Sequence, residues 1–182
     1  IYLHDAFNLT YDDSSTFTTV AGGTVDTNGY DVEFSGEVSG VGGLTKTGTG
    51  VLTLSETNTY SGGTTITSGL INFADGANLG TANITLNGGG LQWATGNTTD
   101  ISARLEAIGA NGVTFDTNGN DVTLASVLSG TGSVTKVGTG VLTLSGTNTY
   151  SGATTVSAGT LKGTTSSLQG DILNNSIVEF AQ

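Results

Sequence analysis

At 182 residues the chain has the length of one ordinary domain, and 35% apolar residues with 30 glycines leave enough material for a packed interior and argue against disorder. Four Lys+Arg against fifteen Asp+Glu give a formal net charge of −11, which repels phosphate backbones and anionic headgroups and makes nucleic acid a poor partner. Proline, cysteine and methionine are absent, so disulfides and thiolate metal sites are excluded, and no apolar run reaches the ~18 residues of a membrane-spanning helix.

The first residues show no basic start followed by an apolar stretch and a cleavage site, so any export signal is expected outside this segment. His4, the sole histidine, has no neighbouring motif that would complete a catalytic triad, and a satisfied or solvated histidine is expected. Asn8-Leu9-Thr10 satisfies the glycosylation pattern, as do the triplets starting at Asn83, Asn97 and Asn174. Such matches arise by chance in a chain rich in asparagine and threonine.

Asp26 and Asp31 flank the Asn28-Gly29 turn and are the first candidate carboxylate pair for acid-base chemistry. Their spacing also resembles an oxygen-rich calcium loop, but glycine stands at the fourth place of the loop where the sixth is required. Turn-capping aspartates are the expectation. Glu33 and Glu37 follow without a basic or histidine partner nearby in sequence. Lys46, flanked by threonines, is expected on a solvated coil face, and Asn58 with Tyr60 in stacked corner ladders.

Runs such as Ile84-Thr85-Leu86 place aliphatic side chains on one face and threonine on the other, the mark of a strand with one buried face. Asn87-Gly88-Gly89-Gly90 provides the next turn. Trp93, the only tryptophan, is expected to pack rather than to stack on a sugar. The stretch Asp100–Gly112 lengthens its coil and carries Arg104 and Glu106, so a loop or short helix is expected there, the first place to look for specific binding.

The chain then repeats itself. A shift of 90 residues aligns 24–70 with 114–160 without a gap, and 29 of the 47 positions are identical. Asp116, Asp121, Lys136, Asn148 and Tyr150 repeat Asp26, Asp31, Lys46, Asn58 and Tyr60, whereas Thr123 and Val127 replace Glu33 and Glu37. After a three-residue deletion Phe180 answers Trp93. Duplication argues for coil-building roles, because an active site normally occurs once. Turn signals about every 20 residues divide each copy into roughly four coils. Similar coils stack in register, so an all-β parallel β-helix of about eight coils is expected, a rod on the order of 40 Å long. An antiparallel sandwich would need different residues on its central and edge strands.

Residues 48–69, GTGVLTLSETNTYSGGTTITSG, and 138–161, GTGVLTLSGTNTYSGATTVSAGTL, resemble the passenger-associated transport repeat of bacterial autotransporters. The preceding DTNGYDVEFSGEVSGVGGLTK at 26–46 and DTNGNDVTLASVLSGTGSVTK at 116–136 are similar to the coil that leads into it. The resemblance implies a right-handed β-helical passenger, exported from a Gram-negative bacterium and displayed at the cell surface by a covalently linked outer-membrane barrel outside this segment. It implies that residues 1–182 are one segment of a longer passenger. On this reading the segment is a non-catalytic shaft and an adhesin or autoaggregation surface, with a host-surface protein, a glycan or a second copy as partner. No catalytic, cofactor-binding or metal residue is assigned. The alternative is a β-helical lyase or hydrolase acting on glycans, which needs non-repeated carboxylates and a basic residue converging on one sheet; a calcium-dependent module is a third reading.

Overall fold

The computed structural model describes residues 9–11, 17–18 and 22–181. Apolar side chains alternating with threonine cannot be buried by one short strand, and the chain answers by laying each coil on the one before it. Every strand pair is parallel, each strand lying beside its equivalent from the neighbouring coil. Each coil passes over three faces. The first carries Gly23–Asp26, Leu44–Thr47, Thr64–Ile66 and Ile84–Leu86. The second is a nine-stranded sheet that begins at Leu9–Tyr11 and Val32–Phe34, runs through Val51–Leu54, Leu70–Phe73, Gly90–Trp93, Val113–Asp116, Val134–Val137 and Thr154–Val156, and ends at Ile172–Asn174. The third carries Val122–Leu124, Val141–Leu144, Thr160–Gly163 and Ile177–Phe180, preceded by less regular segments such as Val38–Ser39. The expected parallel solenoid of about eight coils is therefore the architecture.

Strict alternation sets what faces inward. In Leu44–Thr47 the first and third residues are buried and the two threonines are half-exposed. Register then stacks like on like: Leu52, Ile71, Leu91 and Phe115 form one interior column, and Leu54, Phe73 and Trp93 another. Trp93 is fully buried between Phe73 and Phe115, with ring centroids 5.2 and 6.1 Å away at tilted and edge-on angles that suit aromatic quadrupoles. Its indole N–H donates to Thr99 O at 2.9 Å. Trp93 packs in the core as expected, whereas Phe180 remains 51% exposed.

The corners need backbone conformations that few residues accept. Asn28 and Asn118 both adopt φ 48°, and asparagine tolerates the left-handed region better than most residues. Gly69 and Gly159 sit at φ 65° and 67°, and any side chain there would meet the carbonyl oxygens of the preceding coil.

The sequence repeat is not a whole number of coils. Val51 stacks through Leu70, Gly90 and Thr114 onto Thr135, four coils on, whereas the repeat carries Val51 past that point to Val141. Val141 lies on the next face. The second copy is thus turned by one face: Leu44–Thr47 belongs to the first face and its counterpart Val134–Val137 to the second, while Val51–Leu54 belongs to the second and Val141–Leu144 to the third. Asn58 and Asn148, with Tyr60 and Tyr150, consequently do not stack in a common corner ladder as the sequence suggested. Removing the tryptophan tests how strongly the core column holds the rod: Trp93→Ala should cost about 3–5 kcal/mol, read as a lower urea midpoint at unchanged fold by circular dichroism.

Candidate functional site

The aspartates singled out by the sequence build turns. Asp26 Oδ1 accepts the Asn28 N–H at 2.9 Å, and Asp116 Oδ1 accepts the Asn118 N–H at the same distance. Asp31 Oδ1 and Asp121 Oδ1 reach across to the next coil, accepting the N–H of Val51 at 2.8 Å and of Val141 at 2.9 Å. Glu33 and Glu37 accept hydroxyl protons from Ser55 and Thr59 of the next coil, each at 2.5 Å. Among the described residues no three acidic or histidine side chains gather in a way that could hold a metal ion. His4 and Asn8 lie outside the described residues.

Lysines depart from the sequence expectation. Lys46 and Lys136 are fully buried instead of solvated. Each occupies an inward position of the alternation: Lys46 stacks between Val25 and Ile66, and Lys136 between Phe115 and Val156. A buried ammonium must direct all its protons at acceptors. Lys46 Nζ donates to the carbonyls of Thr47 and Gly48, each at 2.7 Å, to Ser68 O of the next coil at 3.3 Å and to Thr27 Oγ1 at 2.9 Å. Lys136 Nζ repeats this with Val137 O and Gly138 O at 2.7 Å and Ala158 O at 3.3 Å. Burial lowers both pKa values to about 8, with partial compensation from Asp26 and Asp31 at Lys46 and from Asp116 at Lys136.

The other expected binding feature also turns to structural use. Ser102–Arg104 is the short helix anticipated in the lengthened coil. Its arginine does not project as a recognition group. The Arg104 guanidinium donates to the carbonyls of Gly76, Leu79, Gly80 and Ala82 at 2.6–3.0 Å, holding the corner of the preceding coil. Glu106 accepts the Asn83 side-chain amide. Lys162 pairs with Glu179 at 2.6 Å, both partly exposed.

Asn58 and Asn148 are interior bridges. Asn58 Oδ1 accepts the Val38 N–H at 2.6 Å from the coil before, and its amide donates to Asn78 O at 2.5 Å in the coil after. Asn148 does the same between Leu128 N at 2.8 Å and Ser167 O at 2.6 Å. Tyr60 and Tyr150 are buried, and their hydroxyls pair with Thr64 and Thr154 at 2.6 and 2.8 Å. Those threonines then donate to Leu79 O and Gln169 O at 3.0 and 2.7 Å. Lysine, asparagine and tyrosine therefore join coil to coil in both copies. Among the described residues no buried side-chain polar atom lacks a partner. Lysine burial was readable in principle, because Lys46 is in phase with Leu44 and Lys136 with Val134; its charge masked the parity.

The passenger-associated transport repeat family matches residues 44–72 and 134–162, the segments that contain these lysine, asparagine and tyrosine bridges. The chain is similar to the adhesin BmaC autotransporter of Brucella suis biovar 1 (strain 1330), 38% identical over 160 residues that cover 86% of this chain and 5% of the relative. It thus spans only a small part of the length of that curated relative. No solved structure matches the chain.

The buried groups set a pH dependence. Between pH 8 and 10.5 the unfolded chain holds protons that folded Lys46 and Lys136 have released, so stability rises with pH across that window. Burial raises Tyr60 to about 12, so above pH 10 the unfolded chain loses a proton that the folded one keeps, and stability falls again. Urea midpoints measured from pH 7 to 12 should pass through a maximum near pH 10; a flat profile would mean that the lysines are not desolvated.

Proposed function

The chain belongs to the bacterial autotransporter passengers, and from that premise we propose that it is a non-catalytic shaft segment of a longer passenger, displayed at the cell surface and offering an adhesive outer face. The observation that carries this reading is the use made of the duplicated residues. Lys46, Asn58 and their counterparts bond neighbouring coils inside the rod, and Tyr60 and Tyr150 do so through Thr64 and Thr154, which supports a stacking role for these duplicated residues. The adhesive role is drawn from the name of the Brucella suis relative, and the passenger class implies a linked outer-membrane barrel elsewhere in the parent protein.

Hydroxyls and carboxylates dominate the outer surface. Of the four basic residues, Lys46 and Lys136 are buried, Arg104 is committed to backbone carbonyls and Lys162 is paired with a carboxylate. Bare lateral contact between identical rods is therefore opposed by like charge at low salt. A host-surface protein or glycan is favoured over a second copy as the partner. For the glycan-active alternative, the candidate acids Asp26, Asp31, Glu33 and Glu37 follow one another along a single coil and accept bonds from the Asn28 and Val51 N–H groups and the Ser55 and Thr59 hydroxyls.

Beads coated with the purified segment should bind host-cell surfaces or an immobilised glycan array above uncoated beads, without releasing reducing sugar from the same glycans. Sugar release above a heat-denatured control would replace the shaft reading with the enzymatic one.

A further inference from the structure

The paired aspartates and the buried lysines were separate features in the sequence, and the fold brings each aspartate and its lysine to one corner. Asp26 lies on the outside of the corner and Lys46 on the inside. Thr27, next to Asp26 in the chain, supplies one acceptor to the Lys46 ammonium at 2.9 Å. Gly48 supplies another at 2.7 Å, and its Cα faces the Asp26 carboxylate so closely that a Cβ there would run into Oδ1. The second copy keeps the glycine contact: Lys136 Nζ donates to Gly138 O at 2.7 Å, and a Cβ on Gly138 would run into Asp116 Oδ1, while Thr117 turns its hydroxyl to Thr139 O and Asp116 Oδ2 also accepts the Gln92 side-chain amide at 2.7 Å. Across the duplication these residues are retained as a set, Asp26, Thr27, Lys46, Gly48 and Gly69 against Asp116, Thr117, Lys136, Gly138 and Gly159, while nearby acids such as Glu33 and Glu37 are not.

We propose that Asp26 and Asp116 act as the countercharges of the buried Lys46 and Lys136 ammonium groups, and that each pair clamps a corner of one coil to the next. Turn geometry alone does not call for the charge, because an asparagine side chain can accept the same N–H in an Asx turn. A buried cation does: carbonyl dipoles satisfy its protons, but an ion inside a low-dielectric rod keeps a desolvation penalty that a nearby opposite charge offsets. The carboxylate acts through one layer of backbone, remaining in contact with water while its field reaches the interior. Attraction by Asp26 at Lys46 and by Asp116 at Lys136 opposes the effect of burial on both lysines. Asp31 adds to the field at Lys46. The aspartates are in this sense positioning residues for an interior cation, which also explains why they recur without gathering into a metal site.

Asp26→Asn keeps a side-chain oxygen to accept the Asn28 N–H while removing the charge and exchanging the second carboxylate oxygen for an amide, which separates the turn role from the electrostatic one. In lysine-labelled protein, the Lys46 titration followed by NMR should move down by about one pH unit in Asp26→Asn, a tenfold change in its proton affinity, while Lys136 stays in place. Asp116→Asn should do the converse. By urea denaturation, Asp26→Asn should cost clearly more stability in the wild-type chain than in a Lys46→Met background. An unmoved Lys46 titration together with additive stability losses would reduce Asp26 to a turn residue. Should Lys46→Met fail to fold, the Lys46 titration in Asp26→Asn decides alone, since that variant keeps the acceptor for the Asn28 N–H that forms the turn.

Discussion

Parallel register between successive coils is the constraint on which the rest of this rod depends. A three- or four-residue strand buries too little to stand alone, and only the coil above and the coil below can cover its inward side chains. Register places each inward residue over its equivalent, producing columns such as Leu52, Ile71, Leu91 and Phe115. It also determines which backbone groups meet at the corners, and so where a glycine is required and where a side chain can bridge. Gly69 and Gly159 are glycine because the preceding coil leaves no room for a side chain.

Polar residues inside such columns carry an unusual share of the specificity. A column of aliphatic side chains alone tolerates slippage along the chain, because leucine over isoleucine and leucine over valine differ little. Lys46 and Lys136 cannot slip: each ammonium is surrounded by acceptors from its own corner and the neighbouring coil. Asn58 and Asn148 bind one backbone group below and one above, which ties three successive coils together. Losing one partner in such a network leaves a buried polar group unsatisfied, so a wrong register is penalised more heavily than the right one is rewarded. The same arrangement takes two of the four basic residues out of the surface and leaves the outer face more anionic.

Turning the second copy by one face has a consequence for how a passenger presents itself. Identical outward residues, for example Thr53 and Thr143, occupy different sides of the rod. They lie a little more than four coils apart, about 20 Å at the ordinary strand spacing. A partner that recognised an outward feature of the repeat would meet it on two sides of the shaft instead of along one strip. The repeat can change face because what it encodes is local: a lysine corner, an asparagine bridge and a tyrosine-threonine contact, each completed by the next coil whichever face it falls on.

Much of this was legible in the amino-acid sequence. Alternation of leucine with threonine, glycine-rich turns at regular intervals and the duplicated 24–70 and 114–160 determined that the chain forms short strands, that coils stack in parallel and that Trp93 packs inside, because period-two patterning and repetition are local properties. The duplicated aspartates were readable as turn residues for the same reason. Tertiary structure decided what depends on exact coil length and on neighbours far along the chain. Four coils bring Val51 only as far as Thr135, while the repeat brings it to Val141, so the placement of the copies on different faces depends on accumulated coil lengths, including the longer coil that holds Arg104. The two lysines looked solvated, and Arg104 looked placed for binding, because charge usually marks an exposed side chain. Only the stacked carbonyls of neighbouring coils, which no linear pattern displays, supply enough acceptors to turn them inward.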